Sequence, residues 1–445
     1  MRRIKKETII SLCAILATVT LVGGSLLALH SVAAQGKNAA SSNIKGVSNA
    51  YADGGSLTVA AGSGSVVSIG ALFPATTGCS LSANTQTSTG VTLNLGNAGG
   101  GGAVTDTTTA TGYTSSVTVT ATSTVQSINL LGGVITADSI TVKTQSSATT
   151  TTNGVSVDQT TFVNLKVNGK SVTVTPNLTI TLPGIGTVVL DERTGLVDSF
   201  DNTQLTVNGI HVHLTTATLG LPIGADIIVG HAMSQFRRTA ASGLVGARSY
   251  ALLSTGTVGS LSALSGPYAF EVIACYGGHG VISLAATTVA GILSLGVMTD
   301  SAMGQILPAT GATASATSTI ASLGLGSALT RFLGTSVITT QANASFVSPS
   351  SHTISGSVAI SNGSILSGAL PVALPANPAP NTQLTIPLLG TITLNEQVTT
   401  SNGTSVSIRV TAMDIHVTQA VNLLNLPVGA HIYIGVAGAY ASIPS

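Results

Sequence analysis

His211 and His213, two residues apart in the stretch GIHVHL, are the first residues whose type and spacing could do chemistry. Positions i and i+2 of a strand project from one face, and two imidazoles side by side are compatible with a divalent metal. Ile210, Val212 and Leu214 fall on the opposite face, so the same pattern also reads as a half-buried strand with its polar residues outward. Just upstream, Asp191, Glu192, Asp198 and Asp201 could offer oxygens to calcium, which exported proteins bind through carboxylates and carbonyls. Their spacing is not that of an EF-hand loop. The alternative for Glu192 is structural, a carboxylate accepting hydrogen bonds from a neighbouring loop. The chain has neither a G-x-S-x-G elbow nor an HExxH helix. A sugar cleft around paired carboxylates would be poorly supplied in a chain with no Trp and 3% aromatic residues. The Gly-rich run Asn97–Gly102 lacks the Gly-Lys-Ser/Thr that a phosphate cradle needs, and reads as a flexible surface loop. No cofactor is therefore expected.

The elements that must position these residues are written twice. PNLTITLPGIGTVVLDE, Pro176 to Glu192, recurs as PNTQLTIPLLGTITLNE, Pro380 to Glu396, and self-similarity at long period implies a duplicated unit. The shared Pro183/Pro387, Gly186/Gly390 and Leu190/Leu394 specify a strand-turn-strand corner, with one carboxylate in common at Glu192/Glu396. Downstream, LTVNGIHVHL and LPIGADIIVG match VTAMDIHVTQ and LPVGAHIYIG, which sets His211 against His416 and His213 against Thr418. Asn208-Gly209 alone would read as a hairpin turn. Its counterpart Met413-Asp414 cannot favour that turn, so one long strand with a bulge is predicted.

Asn168-Gly169 does predict a hairpin, with Val167 facing Lys170 and Leu165 facing Val172; Asn362-Gly363 supplies the same turn chemistry in the second copy. Alternation over Val117, Val119 and Ala121 predicts a further strand, interrupted at Leu130-Leu131-Gly132-Gly133 before VITADSITV. Ala285–Ser301 and Ala316–Leu323 both match this block, and only one of them can be its true equivalent. The Pro-rich insertion Leu366–Pro380 reads as a loop or edge segment.

The fold class that follows is all-β: two tandem antiparallel β-sandwich domains after an N-terminal signal helix. Residues 1–34 read as a signal peptide, with Arg2, Arg3, Lys5 and Lys6 before a long apolar run and Val32-Ala33-Ala34 as the cleavage site; an uncleaved anchor is the alternative. Residues 35–50 form a flexible leader, 51–235 the first domain, 236–248 a basic linker carrying Arg237, Arg238 and Arg248, and 249–445 the second domain. Charged residues are only 7% of the chain and the net charge of +1 turns slightly negative once the basic N-terminus is removed, which leaves no footprint for nucleic acid or an anionic membrane. Cys79 and Cys275 would remain in an exported chain, either bridging the domains or buried as small hydrophobes.

LLGGVITADSI, LPGIGTVVLDE or IPLLGTITLNEQ, GIHVHL or DIHVTQ, and GADIIVGHA or GAHIYIGVA together resemble the choice-of-anchor P family of secreted bacterial proteins. The resemblance implies export and display at the cell surface, with C-terminal sorting signals that differ between members, and no catalytic residues to carry over. The ending IYIGVAGAYASIPS carries no LPxTG-like motif, hydrophobic helix or basic tail, so the resemblance does not extend to a sorting signal. The expectation is a non-enzymatic extracellular or cell-surface structural protein whose partners are itself or cell-envelope components. With few charges to blunt its edge strands, lateral self-association is expected. The alternatives are an adhesin or ligand-binding module that uses the Pro-rich or Gly-rich segment, and an extracellular hydrolase.

Overall fold

The computed structural model describes residue 44 and residues 46–443, apart from 60–68, 81, 91, 239–242, 256–266, 274, 285, 290–292, 308–310, 328–329, 368–369 and 420–427. The expected signal segment and most of the leader lie outside the described residues. Among the described residues the chain is all-β, the helical elements being the short 3-10 turns Gly96–Ala98 and Leu131–Gly133.

The first sandwich pairs a seven-stranded sheet with a ten-stranded one. Along the seven-stranded path run Leu178–Leu182, Gly186–Asp198, Asn202–Leu214, Ala225–Arg237, Val47–Val59 and Ile69–Leu72. The facing sheet is centred on Ser116–Leu130 and Ile135–Thr149. These strands form because β-branched Val, Ile and Thr alternate along them. Val117, Val119, Ala121 and Val125 are buried to meet Val188, Ile210, Val229 and Phe236 in one core. Each such aliphatic or aromatic side chain contributes about 1.5–3 kcal/mol by leaving water.

The second sandwich repeats this order. Thr382–Ile386, Gly390–Ser401, Ser405–Val417, His431–Ser442 and Leu244–Thr255 lie side by side, ending in Glu271–Val272. Opposite them Gly278–Leu284, Met298–Leu307, Gly311–Ile320, Val337–Ser348 and Ser351–Ser361 form a five-stranded sheet, and a third sheet of six short strands extends the domain. The ladder resolves the two competing matches. Asp106 pairs with Ser123, and Asp300 with Ser318. Ala316–Ile320 is thus the counterpart of the first strand of the Val117–Val142 block, while Met298–Ser301 matches the strand that begins at Val104.

The corner formed by the repeated phrase is a hairpin in both copies, Leu178–Leu182 turning into Gly186–Asp198 and Thr382–Ile386 into Gly390–Ser401. Its entry is fixed alike by Asn177 and Asn381, both at positive φ, whose side-chain Oδ1 atoms accept from the backbone N–H of Arg193 and Gln397. Asn202–Leu214 is one continuous strand, and its alternation breaks where both Gly209 and Ile210 face the core. The same break crosses its neighbours at Leu190–Asp191, Val229–Gly230 and Gly54–Gly55, so a crease runs across the sheet. A Cβ at Gly209 or Gly230 would stand 2.6 or 2.7 Å from Val142 Cγ2, so the missing side chains admit the facing sheet. The second sheet creases at Leu394–Asn395, Ala412–Met413, Ile434–Gly435 and Ala251–Leu252.

Several local expectations change. The end of the 35–50 leader is not flexible: Val47 starts a strand paired with Arg237, and Ile44, Val47, Ser48 and Ala50 are buried. Nor is 236–248 a linker, because Arg237 pairs in the ladder with Val47 and Asn202, and Arg248 with Gly438 and Val272. One strand ends at Arg237 and the next begins at Leu244, both inside the expected linker. Within the Gly-rich run, Gly99–Gly101 is a strand. A Cβ at Gly100 would meet the Leu93 carbonyl oxygen at 2.0 Å, so the glycine serves close pairing and not flexibility. Asn168-Gly169 makes the expected hairpin, with Val167 opposite Lys170. Asn362-Gly363 does not. It passes the chain from Ser351–Ser361 in one sheet to Ser364–Ser367 in another. The Pro-rich insertion begins as an edge hairpin, Leu370–Ala373 against Ser364–Ser367.

Candidate functional site

Three neighbouring strands set Glu192, Asn208 and His231 in a row, directly opposite one another across the sheet. Their side chains lie on the outer face, just past the crease. Glu192 Oε2 accepts from Asn208 Nδ2 at 2.7 Å and from His211 Nδ1 at 2.8 Å. The other nitrogen of His211 lies 3.2 Å from Asp226 Oδ1, and His213 Nδ1 reaches the same oxygen at 2.8 Å. His231 Nδ1 lies 2.6 Å from Asn208 Oδ1, and its ring meets Tyr51 edge-on at 5.7 Å. Burial pushes the His231 pKa down to about 4, against the opposing field of Glu192. The result is a polar ladder of acid, amide and imidazole groups that satisfy one another.

His211 and His213 do share the outward face, as their spacing predicts, but each is tied to a carboxylate. The acidic cluster is not brought together. Asp191 turns inward at the crease with φ of 51°, so it points away from its neighbour Glu192. There Arg193 bridges it to Asp158, at 3.3 Å from Asp191 and 2.7 Å from Asp158. Burial and the adjacent Asp158 carboxylate push the Asp191 pKa up to about 7. Asp198 Oδ1 accepts from the Ser156 backbone N–H at 2.8 Å, and Asp201 takes the Arg238 N–H on its backbone carbonyl. Among the described residues no three His, Cys, Asp or Glu side chains have the geometry to hold a metal.

The second sheet places a different set at the same address. Glu396 accepts from Arg409 Nη2 at 3.1 Å, and Asp414 pairs with His431 at 2.8 Å, with His416 stacked on His431 at 4.2 Å between ring centres. The partners of Glu192 and Glu396 come from the neighbouring strand, not from a loop. The ladder also corrects the pairing of the histidines. Val189 faces His211 and Thr393 faces Asp414, while Thr187 faces His213 and Thr391 faces His416. His213 is thus the counterpart of His416, two residues away from the sequence match on the shared phrase IHV. At the inward node Asn395 and Gln397 replace Asp191 and Arg193, with Gln397 Nε2 donating to Asn395 Oδ1 at 2.9 Å. Charge has become amide without loss of geometry.

The sandwiches are tied together beside this face. Cys79 and Cys275 form a disulfide spanning 196 residues, packed with Val47, Leu244, Tyr276 and Tyr440. Tyr51 of the first sandwich stacks on Phe270 of the second at 6.2 Å, and the Arg237 guanidinium sits 4.4 Å over Tyr276. Sequence reasoning missed Asp158, Arg193, Asp226 and His231. Asp226 could have been found, because it falls on the outward phase of GADIIVG; His231 joins it on that face only because the alternation slips at Val229–Gly230.

These features define an all-β protein of two disulfide-clamped sandwiches. The model of a domain of unknown function (DUF8256) matches residues 76–205, which lie within the first sandwich. No curated protein and no solved structure matches the chain.

Proposed function

We propose that this chain is an exported, non-enzymatic structural protein of the cell surface or its surroundings, built by duplication of one sandwich. The observation that carries the reading is the Cys79–Cys275 bond between the two sandwiches, since such bonds persist in oxidising compartments outside the cytosol. The basic, apolar, small-residue sequence of residues 1–34 and the resemblance to choice-of-anchor P proteins point the same way. The polar ladder fits a structural role, because its imidazoles and carboxylates are engaged with one another. Self-association through sheet edges belongs to the same reading. The edge strand Leu370–Ala373 leaves Leu370 72% and Val372 48% exposed.

The test is a broad hydrolase panel beside light scattering at high concentration. The proposal expects no turnover and concentration-dependent growth in mass. Turnover that Glu192→Gln abolishes, or a monodisperse monomer throughout, would contradict the respective half.

A further inference from the structure

The facing sheets of the two sandwiches do not close on each other completely. They leave a cavity of about 320 Å³ beside the disulfide, at the small end of the roughly 300–1,000 Å³ range of small-molecule sites. Much of its wall is apolar, from Met233 on one sandwich and Ile273, Val398 and Ile408 on the other. Arg248 and Arg409 line it too. Among the described residues no carboxylate lines the cavity; Glu396 touches Arg409 from the side at 3.1 Å.

We propose that this cavity binds a small amphipathic monoanion, a carboxylate with one aliphatic tail. The guanidinium fork matches a carboxylate in shape and charge, and the apolar wall accepts the tail. The volume suits an occupant with one short chain. Burial lowers the Arg248 pKa, with the neighbouring Tyr250 opposing that shift and Arg409 adding to it. His231, which also lines the cavity, is held neutral by its burial and adds no competing charge. Because one wall belongs to each sandwich, the site exists only while Cys79–Cys275 holds them together. Binding shares with the proposed function its need for the Cys79–Cys275 bond, and does not depend on a structural role at the cell surface.

The experiment is calorimetric titration of the disulfide-intact protein with sodium decanoate, and with decanol as the uncharged control. Saturable binding of one decanoate per chain is expected, with decanol about tenfold weaker or worse. Arg248→Met should weaken decanoate by about tenfold or more. Thr206→Trp, which keeps both arginines and fills the space from the other sandwich, should abolish binding even if Arg248→Met fails to fold. Absence of saturable heat at about 1 mM decanoate, where affinity is worth only about 4 kcal/mol, would overturn the proposal. So would decanol binding as tightly as decanoate, or unchanged affinity in Thr206→Trp.

Discussion

Replacing Asp300 by asparagine should lessen the loss of stability that the second sandwich suffers as pH rises. Asp300 lies in the core of the second sandwich with no exposed surface, opposite Ile282 and Ser318 in the ladder. Its carboxylate is fully buried, and the neighbouring Ser318 and Ser249 hydroxyls offset that burial only in part. Burial pushes its pKa up to about 8, whereas an unfolded chain holds it near about 3.9. Between those values the folded protein keeps a proton that the unfolded chain has released. Stability therefore falls as pH rises, by about 1.4 kcal/mol per unit. The contribution is complete below the unfolded value and exhausted above the folded one. By pH 7 the accumulated cost is about 4 kcal/mol. Asp300→Asn removes the ionisation, so the variant's advantage should grow by about 4 kcal/mol between pH 4 and pH 7. For a domain of this size that is a widening of roughly 8–16 °C between the two melting curves. Thermal unfolding of both proteins by circular dichroism at pH 4, 6 and 8 is the assay. A gap independent of pH would refute the reasoning. Asp53 in the first sandwich is pushed up to about 7 by burial and Asp106 is raised too, so that domain should share the trend.

The crease predicts that Gly209→Val destabilises the first sandwich by about 1–3 kcal/mol through overpacking, and that Val142→Ala partly rescues it because Val142 Cγ2 occupies the space; urea titrations of both single variants and the double variant measure the coupling. At the inward node, Asp191→Asn should stabilise at pH 8 and not at pH 4. The folded pKa of Asp191 is raised to about 7, so its penalty grows with pH until that point, and Asn395 already fills the equivalent place. Arg193→Met should instead cost about 1–2 kcal/mol in the same melts, since it strands the buried Asp158 while the arginine itself is partly solvated. Reducing the disulfide, or changing Cys79 and Cys275 to serine, should let the sandwiches separate while each keeps its sheets, seen as a larger radius of gyration with unchanged far-ultraviolet dichroism.

Much of the architecture was legible because strands advertise themselves by alternation and turns by Gly, Asn and Pro. The repeated corner at Pro183 and Pro387 and the hairpin at Asn168-Gly169 are local features, fully specified by neighbouring residues. Register is not local. The phrase IHV occurs in both copies, yet the two histidines that match in sequence stand two residues apart in the ladder, because pairing across the sheet sets position and identity does not. The acidic cluster misled for a related reason. Asp191 and Glu192 are adjacent in sequence, but the crease turns one inward and leaves the other outward. Arg237 and Arg248 looked like a linker because charge is scarce in this chain; in the fold both lie in strands at the meeting of the two sandwiches.

The central claim is export with the two sandwiches clamped by a disulfide. It is tested most directly by fractionating native cells and mapping the recovered chain under non-reducing conditions. The expected result is a chain beginning at Gln35, found at the cell surface or in the medium, with Cys79 and Cys275 recovered in one linked peptide. A full-length chain in the cytoplasm with both thiols free would contradict it.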